Sequence, residues 1–233
     1  ITKLLNNGAK KLKQKNISTY CIDSEILLSK VLKTSRELLI IDKYQKVSNE
    51  KINEFQKLID RRSAREPIAY ILQNKEFWSK NFFVNENTLI PRPETELMVE
   101  KIIKIFNKRN ISFLDIGTGT GCILLSIVSE LKNSTGIGID ISAKAIEVAK
   151  INSRTLKLNS RVKFYARSFD KFFHKKLDVL SQGFVSLMHN QLIENLPQLR
   201  GLWQEHHRLT QVKKHAQTKQ SEIDSVEKKL IEK

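Results

Sequence analysis

The chain has 233 residues, more than one ordinary domain needs and fewer than two full ones use, so one core with an appended unit is expected. With 41 basic against 25 acidic side chains the formal net charge is +16, and 40% of the residues are hydrophobic, a composition that supports a packed core and excludes a tail-like disordered chain. No run approaches the roughly 18 to 20 uncharged apolar residues that span a bilayer, and the N-terminal stretch is too interspersed with lysine for a secretion signal, so the chain reads as cytoplasmic with no membrane partner. Cys21 and Cys122 cannot by their spacing make a disulfide framework or a metal site, and no metal is expected.

The charge is spread rather than hoarded: residues 1–80 carry 17 basic and 9 acidic side chains, residues 81–184 carry 16 and 10, and residues 185–233 carry 8 and 6. A diffuse positive field suits contact with nucleic acid or the ribosome, and solvated lysine-rich helix faces give the same count, so charge alone names no partner.

Residues 1–75 follow a helical period. Ile22, Ile26, Leu27, Val31 and Leu32 share a face, and Ser35 stands before Leu38 and Leu39 as a helix start. A further helix begins near Asn49, repeats apolar residues at Ile52, Phe55, Leu58 and Ile59, and closes on Arg61, Arg62, Arg65 and Pro67. The pattern is that of a small helical bundle. From about 76 to 180 short apolar runs alternate with helical segments, as in a parallel sheet with covering helices. Strands are expected at 82–84, 112–115, 137–140, 162–165 and 177–180, and helices at 94–107, 122–131 and 143–156, the last begun by Ser142. Beyond 185, Leu192, Leu196, Leu199 and Trp203, then Ile223, Val226 and Leu230, recur at helical spacing. His206, His207 and His215 lack a carboxylate at matching spacing and read as solvated side chains.

The most informative stretch runs Phe113-Leu114-Asp115-Ile116-Gly117-Thr118-Gly119-Thr120-Gly121-Cys122, apolar strand, glycine turn and helix start in succession. Glycine reaches positive φ and leaves no Cβ between chain and ligand, and a helix N-terminus points free N–H groups into the same crevice. The third glycine comes one residue early for the pyrophosphate-binding spacing, and the absence of a GxxxxGK[ST] run speaks against ATP hydrolysis. A second strand ends in Asp140, nineteen positions past Gly121, where a carboxylate can accept hydrogen bonds from two ribose hydroxyls. Together these imply an adenosine-containing ligand at the carboxyl ends of adjacent parallel strands.

The run from Asp115 to Gly121 looks like the first motif of class I methyltransferases. Upstream stand Arg65-Glu66-Pro67-Ile68-Ala69-Tyr70-Ile71, then Glu76-Phe77-Trp78, then Ile90-Pro91-Arg92-Pro93-Glu94-Thr95-Glu96, in which the prolines stiffen an extended segment and Thr95 with Glu96 can start a helix. This order resembles the peptide chain release factor N(5)-glutamine methyltransferase family over about residues 1–180. The resemblance implies an α/β fold with a class I methyltransferase (Rossmann-like) parallel-sheet core, here truncated, preceded by a small N-terminal helical bundle and followed by a helical tail. The implied division is 1–75 for a release-factor-recognition domain with a linking hairpin after it, 76–184 for an incomplete core, and 185–233 for a tail outside the family pattern. It implies S-adenosylmethionine as cofactor, held by Gly117, Thr118, Gly119, Thr120, Gly121 and Asp140, with Ser168 or Asp170 standing in for the family's acidic residue near the adenine, and a release factor as partner whose Gly-Gly-Gln glutamine is methylated.

The sequence departs from the family after the fourth strand, where Gln182-Gly183-Phe184 replaces Asn-Pro-Pro-Tyr, the motif that orients the acceptor amide. Gln182 stands in the substrate-binding position, and no catalytic residue is assigned. Glycines usual in the family are also replaced, by Ala64 and Gln73. A catalytically inactive remnant that binds a cofactor or a partner is therefore the alternative reading, and a nucleic-acid amino methyltransferase a weaker one.

Overall fold

In the computed structural model, which describes residues 1–41, 44–107, 110–168 and 184–188, the N-terminal third is helical. All but the last two of these residues belong to one unit, Ile1–Ser186. Helices α1 (Thr2–Gln14), α2 (Tyr20–Leu32), α3 (Arg36–Ile41), α4 (Asn49–Ser63) and α5 (Ile68–Leu72) close around Leu12, Leu27, Leu28, Val31, Leu39, Phe55 and Ile59. Helix α1 was not among the expected helices, although it is strongly amphipathic, with Leu4, Leu5, Gly8 and Leu12 on one face and Lys3, Lys10 and Lys13 on the other. Gly8 is where the helices approach most closely: a Cβ there would lie 2.6 Å from Ser24 Oγ and 2.8 Å from Phe55 Cζ. Ser35 Oγ accepts from Leu38 N at 3.3 Å and Ser48 Oγ from Lys51 N at 3.4 Å, so both serines start their helices as local chemistry predicts. Pro67 does more than close α4: it is the N-cap of α5, a short helix absent from the expected set.

A hairpin follows, β1 (Lys75–Phe77) against β2 (Lys80–Phe82), antiparallel with Phe77 opposite Lys80. Its two turn residues, Trp78 and Ser79, both have φ of 52°, the left-handed pair that a two-residue hairpin turn demands and that asparagine and glycine usually supply. The strand expected at 82–84 is thus the end of β2 running on as an extended linker with Phe82 and Val84 fully buried. Glu96 Oε1 accepts from Trp78 N at 2.7 Å, and Glu130 Oε1 accepts from Trp78 Nε1 at 3.2 Å and from Lys80 Nζ at 3.0 Å. Glu96 opens α6 (Glu96–Phe106) behind a single 3-10 turn, Pro93–Thr95, but the helix is not capped by a Thr95 hydroxyl; the Glu96 carboxylate instead holds the hairpin turn.

The remaining elements alternate as expected: β3 (Ser112–Ile116), α7 (Cys122–Glu130), β4 (Thr135–Asp140), α8 (Ala143–Thr155) and β5 (Val162–Ala166), then β6 (Phe184–Met188). The sheet order is β5-β4-β3-β6, with β3–β4 and β4–β5 parallel. Strand β6 straddles position 184, at which the sequence division ended the core, and lies beside β3. Asp170, the strand expected at 177–180, Gln182, and the helical tail beyond 188 lie outside the described residues. Helix α7 is buried on every side from Cys122 to Val128, and its end is closed by Arg161, whose Nη1 donates to the carbonyls of Leu131, Lys132 and Ser134 at 3.2, 2.7 and 3.3 Å. Among the described residues no helix is long and apolar enough to cross a membrane, and no cluster of three or more His, Cys, Asp or Glu side chains could hold a metal.

Candidate functional site

Strands β3 and β4 run side by side, Ile116 opposite Ile139, so the turn that follows β3 and the carboxylate that ends β4 emerge at the same edge of the sheet. Gly117, Gly119 and Gly121 have φ of 74°, 53° and 76°, the left-handed region that only glycine occupies without strain. Their surroundings separate their roles. A Cβ on Gly117 would meet nothing within 4 Å, whereas one on Gly121 would press on the Phe164 ring at 3.0 Å and on Leu125 at 3.2 Å. Gly138, opposite Phe164 in the next strand, is a glycine for packing alone, since a Cβ would lie 2.5 Å from that ring and 2.8 Å from Thr118 Oγ1.

The strand–turn–helix pattern suggested N–H groups free for a ligand, whereas five of the six from Gly117 to Cys122 are engaged within the fold. Gly117 N and Thr118 N both donate to Ile139 O, at 2.9 and 3.0 Å, Gly119 N donates to Asp140 Oδ2 at 3.0 Å, Gly121 N to Thr118 O at 2.8 Å, and Cys122 N to Thr120 Oγ1 at 3.3 Å. A turn whose amides are already engaged is a poor cradle for phosphate, which needs convergent free donors. Thr118 and Thr120, expected on the ligand side, are buried, and their hydroxyls serve the turn itself: Thr118 Oγ1 donates to Asp115 Oδ2 at 2.7 Å. Cys122, at the first position of α7, is likewise sealed in, and burial pushes its thiol up to about 12. It stays a protonated packing group at neutral pH.

Asp140 is half-buried. Its Oδ2 takes the Gly119 amide and its Oδ1 takes the Ser142 amide at 2.9 Å. Each carboxylate oxygen has two acceptor sites and one on each is taken by these amides, which leaves acceptor capacity for a pair of vicinal hydroxyls. Ser142 also caps α8, its Oγ accepting from Ala145 N at 3.2 Å, so the carboxylate is fixed by a rigid helix start. Ile141, next in the chain, is 84% exposed, an apolar surface beside the carboxylate. Ser168 lies two residues beyond the end of β5, where Arg167 N donates to Asp140 O at 2.8 Å, which brings it to the same edge. Open space at Gly117, a half-satisfied carboxylate and an exposed apolar residue fit a nucleoside without phosphates.

Sequence reasoning missed Asn152. Its carboxamide is buried and accepts from Phe83 N at 2.7 Å, while Nδ2 donates to Phe83 O at 3.0 Å and to Thr120 O at 2.9 Å. The signal was present: Asn152 falls on the inward stripe of α8 with Ala145, Ile146 and Ala149, and a polar residue on an apolar stripe asks for a partner.

Comparison with known proteins matches this architecture at both ends. Residues 107–229 match a family model described as a methyltransferase domain. The chain belongs to that family. Residues 3–72 match a second model, the PrmC N-terminal domain. A release factor glutamine methyltransferase of Buchnera aphidicola subsp. Schizaphis graminum is 44% identical over 153 residues, 66% of this chain and 56% of the relative. One of Caulobacter vibrioides is 38% identical over 65% of this chain and 53% of the relative, and a bifunctional methyltransferase of Rickettsia typhi is 33% identical over 83% and 41%. The chain spans about half the length of these curated relatives. The kinship expected from the proline-bearing signature and the glycine turn is borne out, as is the methyltransferase fold. The methyltransferase-domain match also runs past residue 185, where the sequence reading ended the resemblance.

Proposed function

We propose that this methyltransferase-family chain binds S-adenosylmethionine at the β3–β4 edge and belongs to an enzyme that methylates the glutamine amide of a peptide chain release factor. The carrying observation is Asp140, a half-buried carboxylate fixed by the Gly119 and Ser142 amides, with acceptor capacity left and the open Gly117 position in the same turn. Asp140 holds the ribose hydroxyls, Gly117 and Gly119 leave room for the ligand, Ile141 and Ser168 flank the base, and Thr118, Thr120 and Gly121 keep the turn in shape. When bound, the cofactor supplies an electrophilic methyl group on a sulfonium. The engaged turn amides favour this ligand over a dinucleotide, whose pyrophosphate would need them free.

The relatives named release factor glutamine methyltransferases and the match of residues 3–72 to the PrmC N-terminal domain support the choice of acceptor. Gln182-Gly183-Phe184 in place of Asn-Pro-Pro-Tyr supports the second reading, a cofactor-binding remnant without transfer. Two measurements separate them. In a calorimetric titration the chain binds S-adenosylmethionine, and Asp140→Ala weakens binding by about 1–3 kcal/mol, the worth of hydrogen bonds to a charged acceptor. Unchanged affinity would remove Asp140 from the site. Transfer of a labelled methyl group to a release factor then decides for the enzyme, and binding without transfer decides for the remnant.

A further inference from the structure

We propose that Asn152 is a positioning residue that couples the glycine turn to the linker between hairpin and core, so that occupancy of the cofactor site is felt at residues 78–90. The inference rests on the proposed cofactor site and extends it to a residue that touches no ligand.

The geometry is that of a side chain imitating a strand. Asn152 Oδ1 and Nδ2 engage Phe83 N and Phe83 O, the donor and acceptor pair that a neighbouring strand would otherwise engage, and the same Nδ2 spends its second hydrogen on Thr120 O. One planar amide therefore fixes two backbone segments 37 residues apart, Phe83 and Thr120. Thr120 sits between Gly119, bonded to Asp140, and Gly121, bonded to Thr118. Phe83 follows the hairpin whose turn Glu96 and Glu130 hold. Farther along the linker, Thr88 O accepts from Tyr70 hydroxyl at 2.6 Å, and Tyr70 belongs to α5 of the helical bundle. The linker is thus tied to the cofactor turn at Phe83 and to the bundle at Thr88. Asn152, 1% exposed, cannot shift without breaking bonds on both sides, so a ligand that restrains the turn also restrains the linker.

Hydrogen exchange of the full chain, with and without saturating S-adenosylmethionine, tests this. In the wild type the ligand slows exchange in peptides covering 117–122 and also in those covering 78–90, the latter roughly three- to tenfold, the factor one net hydrogen bond carries. In Asn152→Asp, which keeps an acceptor for Phe83 N but loses both Nδ2 donors, the ligand protects 117–122 and no longer protects 78–90. Protection of 117–122 alone in the wild type overturns the coupling while leaving the cofactor site standing. Equal protection of 78–90 in wild type and variant overturns the role of Asn152. No protection of either segment in the wild type overturns the cofactor site and the coupling with it. Asn152→Ser, which removes the same Nδ2 donors without adding a buried charge, carries the same expectation should Asn152→Asp fail to fold, and a general loss of stability would not abolish a ligand-dependent difference in one segment.

Discussion

The helical bundle and the sheet edge join distant parts of the chain with different chemistry. In the bundle the charged joints are ion pairs, Asp23 with Arg62 at 2.7 Å, Glu25 with Arg36 at 2.5 Å, and Lys11 with Asp60, beside a neutral bond from Ser24 Oγ to Leu5 O at 3.0 Å. Around the glycine turn they are mainly neutral amides and hydroxyls, from Asn152, Thr118, Thr120 and Ser142, and two carboxylates, buried Asp115 and half-buried Asp140, accept from a hydroxyl and from backbone amides. The difference follows from what the backbone leaves open. Helices satisfy their own peptide groups, so beyond the apolar core around Leu12, Leu28 and Phe55 it is side-chain pairs that fix one helix on another. A left-handed glycine turn exposes carbonyls and amides, which here find hydroxyls, the Asn152 amide and the Asp140 carboxylate as partners.

Removing Arg62 tests the bundle side and carries the largest expected effect. Asp23 accepts from Arg62 Nε and from Thr19 Oγ1 at 2.8 Å, with side-chain exposures of 6% for Asp23 and 17% for Arg62. Arg62→Ala leaves a buried carboxylate with one neutral donor, and the expected loss is about 3 kcal/mol, the low end for breaking a buried pair. It is read as a fall in the urea midpoint at constant m. A loss below about 1 kcal/mol would place the pair with exposed ones and erase the contrast between the two regions. On the sheet side, Gly138→Ala forces a methyl against Phe164 and Thr118 Oγ1, at an expected cost of about 1–3 kcal/mol from overpacking. Because Thr118 is part of the turn, affinity for S-adenosylmethionine falls as well, whereas Arg62→Ala leaves the affinity of the folded fraction unchanged. Equal affinity losses in the two variants would mean that the bundle and the turn are one cooperative unit.

What the sequence disclosed follows the same division. The strands at 112–116, 135–140 and 162–166 and helices α7 and α8 were legible to within a residue or two, because period, glycine spacing and the Ser142 cap all agreed. Helix α1 was missed although its pattern was there, Leu4, Leu5, Gly8 and Leu12 on one face and Lys3, Lys10 and Lys13 on the other. At the candidate site the placing of Asp140 beside the three left-handed glycines was legible from residue type and spacing, and their part in holding a ligand is a proposal. The inward turn of Thr118 and Thr120 was not, because a threonine hydroxyl serves backbone and ligand equally well and only the three-dimensional turn decides. Nor was the role of Glu96, which the signature placed at a helix start and the fold assigns to the amide of a residue 18 positions earlier.

Gln73→Gly sharpens the comparison at the boundary between the two regions. Gln73 ends α5 with φ of 54°, a left-handed position where the related family usually carries glycine. A side chain there costs about 1–2 kcal/mol, and glycine returns about half of that as lost chain entropy, so a net gain of about 0.5–1 kcal/mol is expected in the urea midpoint. A neutral or negative result would show that the Gln73 side chain contributes a contact that offsets the strain.

The smallest effect belongs to the ion pair that fastens the hairpin to α7, and pH isolates it. The Lys80 ammonium, hydrogen-bonded to Glu130, holds that carboxyl below its ordinary value of 4.5, against a partial burial that works the other way. A carboxyl depressed in the folded state stabilises fully above its unfolded value and loses that contribution as pH falls through the folded value. Glu130 is 42% exposed, so solvent screens the pair and its worth is a fraction of about 1 kcal/mol. Wild type and Glu130→Gln should therefore differ slightly in urea midpoint at pH 7, less in high salt, and converge as pH falls through the lowered folded value and the carboxyl takes up its proton. Taking the difference cancels Glu66 and Glu100, whose carboxyls are likewise held low, by Arg61 and Lys104. A gap that persisted in acid would mean that the acceptor bond from Trp78 Nε1, which a glutamine oxygen can keep only in one orientation, and not the ion pair with Lys80, fastens the hairpin to α7.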